Sequence, residues 1–329
     1  MHNENTQLEI ENKQPLEGEW SGKKQTAGWT DRLTNDEYHA VDWAISSSYV
    51  KTMLTRGQAA ADVPHADPTP SMRIGTAVHT MLLEGLDRFE YTHAVQPDGL
   101  DMRTKAGKEW KAEQLDAGRI VINKSEWQTI AGASNAVLSF QPALHLMADA
   151  CTRERSFFWQ DGETGVWCKA RPDAYGTDSG GIVLADLKTC ASLDTFERDI
   201  FTRGYDVQGA FYLRGLHAVL GQRMPEVFGA PDFWLLAVET SAPYRVGLYY
   251  IEPSALAEAD KLIDLLLWQV KTSHEGFGDL TAEAYRATDL FTGNKKQVTP
   301  SAPPWIVSDR AEWADRVNAL RNHIEERPF

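Results

Sequence analysis

Residues 169–190 read KARPDAYGTDSGGIVLADLKTC, and two of the three acidic positions in this stretch, Asp173 and Asp186, decide how the chain is read. Asp173 follows Arg171 and Pro172, twelve residues intervene, and Asp186, Leu187 and Lys188 come next. Ile182 to Leu187 is an apolar run with the length of a buried strand, and Pro172 with the polar loop Gly176 to Gly181 puts Asp173 at a strand end. Side chains alternate faces along a strand with a rise of about 3.3 Å per residue, so Asp186 and Lys188 project to one side roughly 6 to 7 Å apart. One carboxylate from each strand can then share a Mg²⁺ ion. Lys188 beside them would orient or deprotonate a water and offset developing charge, as phosphodiester hydrolysis requires. Taken alone, the pattern also describes a surface salt bridge at a strand end.

Working outward, Ser156 to Trp159 and Val166 to Ala170 flank Asp161, Gly162 and Gly165, a hairpin signal. Two helical segments follow the central strand, Leu193 to Phe201 and Tyr205 to Leu220, separated by Gly204. Phe233 to Glu239 and Tyr244 to Ile251 then alternate as strands, and Pro253 opens a helix through Val270. This order predicts an α/β fold with one mixed β-sheet flanked by helices. Ahead of it lies an N-terminal helical region. Ile45, Tyr49 and Leu54 form one stripe, a loop holds Pro64, Pro68 and Pro70, Met72 to Leu83 forms a second helix, and Trp127, Ile130, Val137 and Leu138 are spaced for a buried face.

Residues 1–35 are polar with scattered apolar positions and read as a flexible leader outside the fold. The catalytic domain is expected over 36–285. Residues 286–329 comprise a Pro-rich linker, Gly293 to Pro304, and a closing amphipathic helix. In that helix Asp309 and Glu312 make a capping box, and Trp313, Val317, Leu320 and Ile324 share a face. The helix is expected to dock on this protein or on a partner.

An apolar fraction of 42% over 329 residues supports one large core or two modest ones. The net charge of −14 excludes a protein that coats nucleic acid through a uniformly basic surface, but not a nuclease that confines its basic groups to one channel. Cys151, Cys168 and Cys190 lack a CxxC spacing, so neither a disulfide framework nor a zinc knuckle is expected. No apolar stretch approaches the roughly 18 residues of a membrane span, and the expected location is the cytoplasm.

Three further features converge on the acidic pair. Gly75 and His79 lie four apart on a predicted helix, where a glycine costs about 1 kcal/mol relative to alanine unless close packing demands it. A histidine there is either a metal ligand or a satisfied core group. Gln208 and Tyr212 are again four apart, reaching the site or forming a polar helix face. Arg103, Lys105, Lys108 and Lys111, with Trp110 among them, either grip a nucleic-acid backbone or form a solvated helix start.

In order along the chain, GTAVH at 75–79, KARPD at 169–173, DLKT at 186–189 and QGAFY at 208–212 resemble the RecB-like branch of the PD-(D/E)XK nuclease superfamily. RTKAGKEW at 103–110, TGVWCKARPD at 164–173 and GYDVQGAFYLRG at 204–215 resemble its RecE type, the exodeoxyribonuclease VIII family, over about Tyr38 to Val270. The resemblance implies a restriction-endonuclease-like core that degrades linear double-stranded DNA from 5′ ends, leaving 3′ single strands for an annealing recombinase. It carries metal-ligand roles to His79, Asp173 and Asp186, the catalytic lysine to Lys188, and the last motif to Gln208 and Tyr212. Glu154 matches a further family acid or forms a salt bridge with Arg153 or Arg155. Mn²⁺ is expected to substitute for Mg²⁺. A homo-oligomer, in the form of a tetrameric ring, is implied as well.

Two alternatives stand beside this one. A single-strand exonuclease or an endonuclease of the same fold fits the same residues, although an iron–sulfur version would need four cysteines. A catalytically inactive DNA-binding module that recruits a recombinase is the alternative from another class.

Overall fold

The central strand β9 (Gly181–Cys190) lies between an antiparallel neighbour, β8 (Ala174–Asp178), and a parallel one, β10 (Asp232–Glu239). The computed structural model describes residues 21–63, 68–146, 152–178, 181–220 and 232–274. In the five-stranded sheet, β11 (Val246–Tyr250) pairs with β10 at one edge and β5 (Thr152–Arg153) with β8 at the other. Parallel neighbours cannot be joined by a tight turn. A 3₁₀ turn at Leu193–Thr195, α9 (Phe196–Thr202) and α10 (Tyr205–Leu220) stand in the chain between β9 and β10.

The period of two assigns the faces of this sheet. Leu184, Leu235 and Ala237 are buried in a core with α2 (Ser47–Arg56), α10 and α11 (Pro253–His274). Leu187, Leu236 and Val238 face the other way, onto α4 (Pro70–His79) and α7 (Lys124–Leu138). Helix α7 starts at a capping box between Asn123 and Glu126 and buries Ile130, Ala133 and Val137, whereas Leu138, expected inside, is 50% exposed. Helix α10 is covered along most of its length because two glycines let it approach both sheets. A Cβ on Gly209 would lie 2.3 Å from the Phe233 ring, and one on Gly215 2.6 Å from Trp159.

Three expectations need correction. The mixed sheet flanked by helices is present as expected, but the hairpin of β6 (Ser156–Gln160) and β7 (Trp167–Ala170) lies outside it, in the middle of a four-stranded sheet with β1 (Gly28–Thr30) and β2 (Ile45–Ser46) at its edges. Its outer strands come from the distant N-terminal segment, which hairpin signals cannot reveal, and Ile45 is accordingly in a strand, not on a helical stripe. Gly176 to Asp178 is strand, not loop. The ladder to β9 supplies what the low strand propensity of glycine and aspartate lacks.

The leader boundary at 35 is the third correction. Trp29 and Thr30 pair with Phe157 and Ser156, the Arg155 guanidinium lies 4.0 Å from the centre of the Trp29 ring, and Asp31 receives two hydrogen bonds from Arg155 at 2.7 and 2.6 Å. Leu33 is buried with Tyr38 of α1 (Asn35–Ala40) and Phe158. The linker and closing helix, Gly293 to Pro304 and Asp309 to Glu326, lie outside the described residues. No helix among the described residues is long and apolar enough to cross a membrane.

If residues 28–34 are part of the fold, Leu33→Ala should cost about 2–3 kcal/mol of unfolding free energy through lost burial and a residual cavity. Urea denaturation checks this. A midpoint equal to that of the wild type would return the segment to the leader.

Candidate active site

The β8–β9 ladder ends where Ala174 faces Ala185, so Leu187, two residues further along β9, has its N–H and C=O on the vacated side. Two side chains take their place. The Leu187 N–H donates to Asp173 Oδ2 at 2.6 Å, and His79 Nε2 meets the Leu187 carbonyl oxygen at 2.8 Å. A carbonyl oxygen can only accept, so Nε2 carries a hydrogen, and in the neutral imidazole Nδ1 is then the atom with the free lone pair. Nδ1 faces Asp173 Oδ2 at 3.6 Å. Two lone-pair atoms at that separation call for a proton or a cation between them.

Helix α4 delivers His79. Thr69 caps it and Pro70 occupies its first turn, Ala77 and Val78 are buried, and His79 is its last residue before a π-helical turn, Thr80–Glu84. The predicted single helix from Met72 to Leu83 thus widens just after the histidine. A Cβ on Gly75 would lie 3.0 Å from Thr189 Oγ1, which explains the helix-interior glycine: it lets α4 press against β9.

Asp186 is 2% exposed, and a charge buried to that degree needs partners. It has three. Its Oδ2 forms an ion pair with Lys188, two residues along the same face. Its Oδ1 accepts from Gln208 Nε2 at 2.8 Å and from the Tyr212 hydroxyl at 3.1 Å. Gln208 Nε2 also donates to the Tyr212 oxygen at 2.5 Å. Gln208 cannot turn its amide over, because its Oε1 accepts from Lys51 Nζ at 2.6 Å. Lys51 belongs to α2, and its ammonium and that of Lys188 lie 5.3 and 4.9 Å from the centre of the same Tyr205 ring.

Burial first, then the charge of Asp186, pushes the Asp173 carboxyl up to about 7, with His79, Lys188 and the Leu187 N–H working the other way. Burial works to lower the Lys188 ammonium, but Asp186 and Asp173 more than offset it and hold the group above its ordinary value. Burial and Asp186 keep Tyr212 protonated, as a donor.

His79, Asp173, Asp186, Lys188, Gln208 and Tyr212 are therefore brought together. Among the described residues, however, no three carboxylate, imidazole or thiol groups converge tightly enough to form a metal cluster. The donor set still suits a hard divalent cation. The charge of Asp186 raises the cost of ionising Asp173, the His79 imidazole faces Asp173, and Asp186 Oδ2 has the Lys188 ammonium as its one partner. Glu154 pairs with neither Arg153 nor Arg155 but with Arg171, at 3.5 Å.

The basic tract stands apart. Arg103 is bound by Asp101 at 2.9 Å, and Lys105 to Lys111 open α6 (Lys105–Asp116), which packs on β4 (Ile120–Ile122). Lys105 pairs with Glu109 at 3.6 Å, and none of the four basic groups is among the partners of Asp173 or Asp186. Lys51 was not visible in the sequence. Its place depends on a contact with a residue 157 positions away, which no local spacing encodes.

The raised Asp173 carboxyl has a consequence for stability. Its ordinary value is 3.8 and its folded value about 7, so the stabilisation from its protonation is complete below pH 4 and lost as pH rises through 7. In EDTA, Asp173→Asn should melt higher than wild type at pH 8, by about 5 °C, with the gap closing towards pH 4. A wild-type midpoint at or above that of the variant at pH 8 would show that the carboxylate is not under strain.

A solved structure from Eubacterium rectale, described as a candidate exonuclease, matches at a TM-score of 0.51 over 74% of this chain and 87% of its own, with 15% identity, and so shares the fold. A second, SSO0001, overlaps 49% of this chain and 68% of its own at 16% identity and a TM-score of 0.27. No curated protein matches the chain. Residues 46–276 match a family described as a PDDEXK-like domain of unknown function (DUF3799), a span that includes every residue of the site from Lys51 to Tyr212, and the chain belongs to that family.

Proposed function

We propose that the chain is a Mg²⁺-dependent exodeoxyribonuclease of the RecE type that degrades linear double-stranded DNA from 5′ ends and leaves 3′ single strands for an annealing recombinase. The observation that carries this is the Leu187 peptide, which draws Asp173 and His79 to the strand position next to Asp186 and Lys188. Membership in a PDDEXK-like family and the fold shared with the Eubacterium rectale protein support the same chemistry.

His79, Asp173 and Asp186 would hold the cation. When bound, it supplies charge neutralisation at the phosphoryl oxygens and a more acidic water. Lys188 orients the attacking water and stabilises the anionic phosphorus centre with its ammonium. Gln208 and Tyr212 hold Asp186 by Oδ1, leaving Oδ2 directed at Lys188 and the cation. With a net charge of −14 the surface gives little general attraction for duplex, so a local channel entered by a strand end favours exonuclease action. Assembly into a homo-oligomer that encloses the DNA belongs to the same proposal.

Digestion of end-labelled linear duplexes and covalently closed circles, with Mg²⁺, Mn²⁺ or EDTA, tests it. Linear duplex should yield mononucleotides from 5′-phosphorylated ends with either metal, and circles should remain intact. Asp173→Ala and Asp186→Ala should abolish cleavage while remaining folded, and Lys188→Met should slow it about a thousandfold. Linearised circles would make the protein an endonuclease. Duplex binding without turnover in any metal would leave the recruitment module in its place.

A further inference from the structure

Lys51 fixes the Gln208 amide, but the chemistry above leaves its positive charge without a task. Its stem crosses Gly204, the left-handed residue with φ of +67° ahead of α10, where a Cβ would stand 3.4 Å from Lys51 Cγ. Its ammonium ends between Gln208 Oε1 and the Tyr205 ring, beside Lys188. The two ammoniums differ in one respect. Lys188 is paired with Asp186, whereas no carboxylate among the described residues pairs with Lys51.

Holding Gln208 in its orientation does not require a charge. A neutral donor would do the same without placing a second ammonium near the first in a half-buried position. Burial, followed by the charge of Lys188, pushes Lys51 down to about 7, and the more distant charges of Asp186 and Asp173 offset only part of that. With Asp173, Asp186, Lys51 and Lys188 all ionised the cluster is neutral. A bound divalent cation would leave it positive, and a site of that sign accepts an anion.

We infer that Lys51 is a phosphate-binding residue, its ammonium taking a non-bridging oxygen of the DNA backbone at the edge of the site, an assignment that rests on the nuclease reading above. Lys51 is then the counter-charge for substrate as Lys188 is for Asp186. It also links substrate to the site's interior, since the same ammonium holds Gln208, which holds Asp186. An arriving phosphate supplies the anion that Lys51 lacks, and binding and alignment are coupled at one atom.

The test is duplex binding by fluorescence anisotropy in EDTA over a salt series, together with kcat and KM in Mg²⁺, for wild type, Lys51→Met, Lys51→Gln and Lys51→Arg. Loss of one phosphate contact should weaken binding by about five- to tenfold and reduce the slope of log K against log salt by about 0.9. KM should rise more than kcat falls, and Lys51→Arg should recover most of the loss. Lys51→Gln keeps a neutral donor for Gln208 and so preserves the comparison if Lys51→Met is poorly folded. Unchanged affinity and salt slope in both neutral variants would overturn the inference. So would a fall in kcat at unchanged affinity that arginine fails to restore, which would make Lys51 a support for Gln208 alone. Wild-type protein that binds duplex but never cleaves it would sink the nuclease reading while the binding series still judges Lys51.

Discussion

β8 enters the sheet only at Ala174, opposite Ala185, so one peptide of the central strand further along has no strand neighbour on that side. Buried backbone groups are rarely left unpaired, and here Leu187 takes its substitutes from side chains: Asp173 accepts its N–H and His79 donates to its carbonyl. The rest of the site depends on this substitution. It sets Asp173 one strand away from Asp186, fixes the hydrogen on Nε2 of the histidine, and turns Nδ1 towards the carboxylate. The π-helical turn after His79 and the missing side chain at Gly75 both serve the close approach of α4 that makes the contact possible.

A second constraint is electrostatic. Asp186 is buried on a sheet face that also carries the apolar side chains of Leu184, Leu235 and Ala237. Its charge is tolerable there because an ammonium, an amide and a hydroxyl converge on it, and because α10 lies close enough to bring the last two. That closeness comes from Gly209 against Phe233, so a packing feature of the core sets the hydrogen bonds of the site. The network continues through Gln208 to Lys51. Carboxylates and ammoniums are balanced there within a few residues, on a protein whose overall charge is strongly negative.

Local periodicity carried much of this. The alternation along β9 places Asp186 and Lys188 on one face, and the helical spacing of Gly75 with His79 and of Gln208 with Tyr212 puts each pair on one side of its helix. The hairpin of β6 and β7, the helices before β10 and the long helix after Pro253 were readable from turn residues and apolar repeats. These are properties of neighbours in the chain, and sequence reports them because backbone geometry repeats over a few residues.

The remaining features join residues far apart. β1 and β2 complete the second sheet from the N-terminal segment, and β8 is a strand despite glycine and aspartate because β9 pairs with it. Lys51 reaches Gln208 across 157 positions. The Leu187 peptide has no residue signature at all, since every residue but proline offers the same N–H and C=O. The sequence by itself determined which side chains share a strand face or a helix face. Only the tertiary structure decided which backbone groups were left open and which distant charges would meet there, because those depend on where strands end and how closely helices pack.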